Sequence, residues 1–124
     1  MLLRFALRAL VCLLVLVTGC TTTDPAAPSW ADGTATVREA DLPAEARETL
    51  QLLDAGGPFP YERDGAVFNN FEDLLPRHPR GYYHEYTVRT PGSRDRGSRR
   101  IVTGRGGETY YTDDHYESFR AVLR

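Results

Sequence analysis

The stretch Gly-Tyr-Tyr-His-Glu-Tyr-Thr-Val-Arg-Thr-Pro-Gly-Ser-Arg-Asp-Arg-Gly-Ser-Arg-Arg-Ile-Val-Thr-Gly, from Gly81 to Gly104, constrains the fold of this chain more than any other. Tyr82 to Val88 is rich in aromatic and β-branched residues, Thr90 to Ser98 in turn formers, and Arg100 to Thr103 resumes the strand pattern. That order predicts a β-hairpin. Side chains alternate along a strand, so Tyr83, Glu85 and Thr87 share one face. A register setting Glu85 opposite Arg100 or Val102 turns Glu85 and Arg100 to the same side. One carboxylate then lies within reach of a cluster made by Arg94, Arg96, Arg99 and Arg100. A solvated hairpin with ordinary cross-strand ion pairs fits the same residues equally well.

The first twenty residues read as a leader. Arg4 and Arg8 form a short positive segment, and Leu10 to Val17 is the apolar run of a signal peptide, too short for a comfortable membrane span. It ends in Val17-Thr18-Gly19-Cys20, which resembles a bacterial lipobox and predicts a lipid on Cys20 after removal of residues 1–19. More than one acyl chain on that residue makes a stable anchor. An ordinary secretory signal cleaved near Ala26 or Ala27 is the competing expectation. Thr21 to Gly33 is polar and rich in Pro and Ala, so residues 20–33 are expected to form a flexible tether. Residues 34–124 then form one small domain. Cys12 and Cys20 are the only cysteines, which leaves that domain without a disulfide. His78, His84 and His115 are not at metal-site spacings, so no metal or other cofactor is expected.

Charge is divided along the chain. Without Arg4 and Arg8, 13 basic residues face 17 acidic ones, a balance that does not by itself point to nucleic acid. Residues 24–75 carry 11 acidic and 3 basic residues, however, and residues 76–124 carry 6 acidic and 10 basic. The second half can present a basic surface on an acidic molecule. Every basic residue is Arg, the better bidentate ligand for phosphate.

Between the leader and the hairpin, Thr34 to Arg38 suggests a short edge strand. Pro43 to Ala55 predicts a helix with Ala46, Thr49, Leu50 and Leu53 on one stripe, Glu45 in its first turn and Gly56-Gly57 at its end. Ala66 to Phe68 begins as a strand and breaks at Asn69-Asn70, residues that tolerate left-handed conformations and can turn backbone N–H groups into a concave site. Beyond the hairpin, Glu108 to Thr112 and Tyr116 to Val122 read as further strands. The expected fold is α+β, one N-terminal helix packed on a small antiparallel sheet.

Four motifs, in order, then resemble the small secreted guanyl-specific ribonucleases, the microbial family that includes ribonuclease Sa and, more distantly, barnase. They are Gly57-Pro58-Phe59-Pro60-Tyr61, Gly81 to Val88, Arg96 to Gly104 and Tyr110 to Tyr116. The resemblance covers about Ala35 to Phe119. It implies metal-independent endonucleolytic cleavage of single-stranded RNA through a 2′,3′-cyclic phosphate that is then hydrolysed. In those roles Glu85 is the general base and His115 the general acid, and Arg96 and Arg100 hold the phosphate. Phe68, Asn69, Asn70, Phe71, Glu72 and Tyr116 bind the base, with Glu72 accepting from guanine N1–H and N2–H. The resemblance also implies a monomer and admits a barstar-like protein inhibitor as partner. Departures fall in the base loop, where Phe71 and Asn69 stand for Arg and Gln, and before His115, where the loop is one residue shorter. Where the family has a disulfide joining the ends of its domain, this chain has Arg38 and Leu123-Arg124. The competing expectation is a non-catalytic surface lipoprotein that binds RNA, nucleotides or another anionic partner through the basic hairpin. In either case the leader is expected to place the domain outside the cell, tethered to the outer face of its membrane by the lipid on Cys20 or released from it.

Overall fold

The computed structural model describes residues 27–124. Leader residues 1–19 and the proposed lipid site Cys20 lie outside that range. Six strands and one helix follow in order: β1 Thr36–Arg38, α1 Ala44–Ala55, β2 Ala66–Phe68, β3 Tyr83–Thr87, β4 Arg100–Gly104, β5 Thr109–Thr112 and β6 Arg120–Leu123. They form one sheet in the order β1-β6-β5-β4-β3-β2. From β2 to β6 every pairing is antiparallel, but β1 adds to the far edge parallel to β6, so the sheet is mixed. That pairing brings the two ends of the domain together, with Arg38 beside Leu123.

The expected helix forms from Ala44, directly after Pro43, whose ring suits a helix start because its missing N–H has no partner there to lose. Gly56 stops it at φ 78°, a left-handed conformation in which its N–H reaches back to the Leu52 and Leu53 carbonyls. Of the expected stripe, Ala46, Thr49 and Leu50 are buried and Leu53 is partly buried. Ala46 and Leu50 pack with Leu42, Val88, Ile101, Tyr111 and Val122 on one face of the sheet.

The other face carries a second core and, beside it, the chemistry. Tyr83, Val102, Tyr110 and Ala121 join Leu75, Phe119 and Ala31 there. Ala31 belongs to a residue range expected to be tether. Instead, Ser29–Ala31 is a 3-10 turn, Ala31 is buried, and the Trp30 ring meets Tyr110 edge-on with centroids 5.4 Å apart. Apolar contact decides this: a Trp and an Ala gain more by packing over Tyr110, which is fully buried, than by facing solvent. The last strand is also shorter than expected, because Tyr116 to Phe119 belong to a turn.

Candidate active site

The hairpin register sets Glu85 opposite Val102 and Thr87 opposite Arg100, and across β5 it continues to Tyr110 and Thr112. Glu85 and Arg100 therefore stand on the face opposite the helix, and both are buried, at 8% and 2% exposure. They do not form the direct ion pair that the sequence suggests. The Tyr116 hydroxyl stands between them, donating to Glu85 Oε1 at 2.9 Å and accepting from Arg100 Nε at 3.1 Å. Burial, followed by the Glu85 charge, pushes the Tyr116 phenol up, so it remains a donor. Arg100 Nη1 donates to the carbonyls of Arg99 at 2.7 Å and Arg96 at 3.3 Å. Among the described residues Arg100 has no ion-pair partner and its Nη2 has no hydrogen-bond acceptor. A buried charge without a counter-charge is costly unless a ligand completes it.

Arg96 is held beside Arg100 by the hairpin loop, and its Nη1 donates to Thr87 Oγ1 at 3.3 Å. Thr87 is fixed in turn, its N–H donating to Asp64 Oδ1 at 2.7 Å and its carbonyl accepting from Thr49 Oγ1 on α1. Neither Thr87 nor Asp64 stands out in the sequence as part of the site. The only sequence signal is that Thr87 lies two residues after Glu85 on the same strand face. Arg94, in the same loop, is exposed.

His115 reaches the same end of the sheet from the turn after β5. Its N–H donates to the Ser98 carbonyl at 3.0 Å, its ring is exposed, and it meets the Tyr116 ring edge-on at 4.9 Å. Both residues have positive φ, 55° and 70°, a conformation costly for non-glycine side chains. Asp114 holds the turn in place. Its Oδ1 accepts from Thr112 Oγ1 at 2.8 Å and Ser118 N–H at 2.9 Å, and its Oδ2 from the Ser118 hydroxyl. Those bonds, that from the Ser118 hydroxyl first, depress the Asp114 carboxyl to about 2. His84 faces the other side of the sheet, with Nδ1 2.9 Å from the Gly65 carbonyl, and His78 stacks on Tyr82; neither approaches Glu85.

A cleft of about 260 Å³ opens beside Glu85, lined by Phe68, Asn69, Asn70, Phe71, Glu72 and Tyr116 among others. Its inner wall is the Phe68–Tyr116 stack, with centroids 5.4 Å apart and planes 21° apart. Phe71 is not core: it is 87% exposed, and with Val67 and Leu74 it makes an apolar rim. Asn70 adopts φ 54°, the left-handed conformation its residue type allows. Its side chain is turned back onto its own loop. Nδ2 donates to the Leu75 carbonyl at 2.9 Å and Oδ1 accepts from Leu75 N–H at 3.1 Å, which closes the loop on itself. Of the predicted base-binding residues, Asn70 thus offers only its backbone. The main-chain N–H groups of residues 69–72 have no acceptor among the described residues, and the Glu72 carboxylate stands exposed at the same opening. Successive free N–H groups of this kind form a cradle for an acceptor atom. No three His, Cys, Asp or Glu side chains converge as a metal site among the described residues.

A cleft with free donors and a carboxylate at one end, and a buried carboxylate with uncompensated arginines at the other, suits a nucleotide. The comparisons agree. The family model described as ribonuclease matches residues 25–123. Over 87 residues the chain is 60% identical to guanyl-specific ribonuclease St of Saccharopolyspora erythraea, which covers 70% of this chain and 86% of that protein. Over 92 residues it is 54% identical to guanyl-specific ribonuclease Sa of Kitasatospora aureofaciens, covering 73% and 96%. The structure of ribonuclease Sa2 with guanosine-2′-cyclophosphate superposes with a TM-score of 0.70 at 51% identity, covering 73% of this chain and 96% of the other. The chain belongs to the microbial ribonuclease family, close to ribonucleases St and Sa.

Proposed function

We propose that the protein is a metal-independent, guanyl-specific endoribonuclease that cleaves single-stranded RNA by transphosphorylation. The observation that carries this is the buried Glu85 beside the uncompensated Arg100, with Tyr116 joining them. Similarity to guanyl-specific ribonucleases, and to a structure holding a guanosine cyclophosphate, supports the same reading.

In the first step the Glu85 carboxylate takes the proton of the guanosine 2′-hydroxyl as its oxygen attacks the adjacent phosphorus. The 5′-oxygen of the next nucleotide leaves with a proton from His115, giving a 2′,3′-cyclic phosphate. Arg96 and Arg100 meet the charge that builds on the phosphoryl oxygens, and Arg100 does so where low dielectric strengthens each contact. In the second step the roles reverse. His115 takes a proton from water, whose oxygen attacks the phosphorus, and Glu85 returns a proton to the 2′-oxygen, leaving a 3′-phosphate. Upstream, guanine enters the cleft with its O6 toward the N–H groups of residues 69–72 and its N1–H and N2–H toward Glu72. Adenine presents no such donor pair. Phe68, Tyr116 and the exposed Phe71 give aromatic contact, worth roughly 1–3 kcal/mol per stacked base.

The decisive experiment is digestion of a short single-stranded RNA in excess chelator with the product ends mapped. Products ending in guanosine cyclic phosphate support the reading; no cleavage overturns it. Glu85→Gln and His115→Ala should each lower the rate by orders of magnitude in folded protein. Glu72→Ala should broaden the set of product ends, and an unchanged set removes its role in reading the base. The leader supports export with a lipid on Cys20 as the anchor. Membrane fractionation of Cys20→Ala tests this apart from activity: release into the medium is expected, and an unchanged distribution rejects the anchor.

A further inference from the structure

Arg63 lines the same cleft as Glu72 and Glu85, and the reaction described above makes no use of it. It lies in the turn before β2, where its carbonyl accepts the Ala66 N–H at 3.0 Å. The neighbouring Asp64 ties this turn to β3 by accepting the Thr87 N–H and closes it by accepting the Tyr61 N–H at 3.1 Å. The backbone that carries Arg63 is therefore fixed relative to the catalytic strand. Its side chain is not: Arg63 is exposed, and its guanidinium has no ion-pair partner among the described residues, although Glu62 and Asp64 flank it in sequence.

The strand register says on which side of Glu85 this charge stands. Glu85 lies between Ala66 of β2 and Val102 of β4. Arg100 stands on β4, and Arg96 in the loop that leads into it. Arg63 is on the opposite flank, at the entry to β2. In the proposed reaction the arginines on the β4 side hold the phosphate on the guanosine 3′-oxygen. A guanosine inside an RNA chain carries a second phosphodiester on its 5′-oxygen, across the ribose from the first. A guanidinium is well suited to that group, and it meets no competing carboxylate partner.

We propose that Arg63 forms a second anion subsite that holds the phosphate 5′ to the cleaved guanosine. The enzyme then favours guanosines within a chain over a guanosine at a free 5′ end. The proposal rests on the ribonuclease reading of the cleft and adds a binding position to it.

The test compares kcat/KM at low salt for GpC, for 5′-phosphorylated pGpC and for 3′-phosphorylated GpCp, using the full domain and its Arg63→Gln and Arg63→Lys variants. The wild type should favour pGpC over GpC by roughly fivefold, the scale of one exposed charge contact. Arg63→Gln should bring that ratio close to one, and Arg63→Lys should restore part of it. The preference should also fade as salt rises. A wild-type ratio of one overturns the subsite, as does a ratio unchanged in Arg63→Gln. Loss confined to GpCp would place the arginine on the 3′ side and overturn the assignment. Failure of the wild type to cleave GpC at all would refute the reaction itself, a result distinct from these.

Discussion

Two side chains carry more of the site than their places in the sequence suggest. Among the described residues, the Tyr116 hydroxyl is the one atom hydrogen-bonded to both Glu85, the proposed general base, and Arg100, proposed to hold the phosphate, through bonds of 2.9 and 3.1 Å. Hydrogen bonds to charged groups contribute about 1.5–3 kcal/mol each. Tyr116→Phe should therefore lower kcat/KM by roughly tenfold or more. Steady-state kinetics on a GpN substrate checks this, with circular dichroism to show that the fold is kept. Asn70 is the second case. Its type and its left-handed backbone were legible in the sequence, because Asn tolerates positive φ. Its clasp on Leu75 was not, because that contact depends on how the loop folds back. Asn70→Ala loses the side-chain bonds to Leu75 and Pro76 and puts a less suitable residue at φ 54°, so it should destabilise the domain by about 2 kcal/mol. Urea unfolding measures that loss, and broader product ends would show that the loop no longer presents its N–H groups correctly.

At the scale of elements, what the sequence shows best is periodic. The alternation in β3 places Glu85 with Thr87, and either hairpin register, Glu85 opposite Arg100 or Val102, puts Arg100 on their side; the structure adopts the one with Glu85 opposite Val102. The stripe of Ala46, Thr49 and Leu50 predicts the helix. What it hides is non-local: β1 finds a parallel partner more than eighty residues away, Trp30 finds Tyr110, and Glu85 meets Arg100 only through Tyr116. The turns are intermediate, since their residue types are evident and their aim is not. The turn after β5 is stabilised by Asp114, whose carboxyl is depressed to about 2 by its hydrogen bonds. A folded-state value below the unfolded one stabilises at pH above the usual carboxylate range and is lost as pH falls through about 2. The stability difference between wild type and Asp114→Ala should thus be full at neutral pH and shrink toward pH 2, read from urea midpoints across that range. The hairpin loop depends on Gly97 at φ 63°, where an added Cβ would collide with Thr90 Oγ1. Gly97→Ala should therefore displace Arg96 and raise KM, and kinetics on GpC beside a thermal melt would separate that from unfolding.

Over the whole molecule, the absence of a covalent staple between Arg38 and Leu123 is met by non-covalent closure. Arg124 spans both carboxylate oxygens of Asp54 at the end of α1, at 2.9 and 2.5 Å, and reaches Glu39 beyond β1 at 3.2 Å. The Arg124 hydrogen bond holds the Asp54 carboxyl below the usual range, and Asp54 raises the Arg124 guanidinium in return. These groups are partly exposed, so each pair contributes no more than about 1 kcal/mol and is screened by salt. Arg124→Ala should lower the urea midpoint at low salt, and high salt should bring the two proteins together. The parallel edge has a further consequence, in time rather than energy. Pairing residues 36–38 with 121–123 needs nearly the whole chain to be in place, whereas the β3–β4 hairpin closes a short loop. The nucleus that first buries Glu85 and Arg100 can therefore form before the molecule closes. The site would then be assembled early on a ribbon whose two ends meet last, and amide exchange should find β1 opening well before β4.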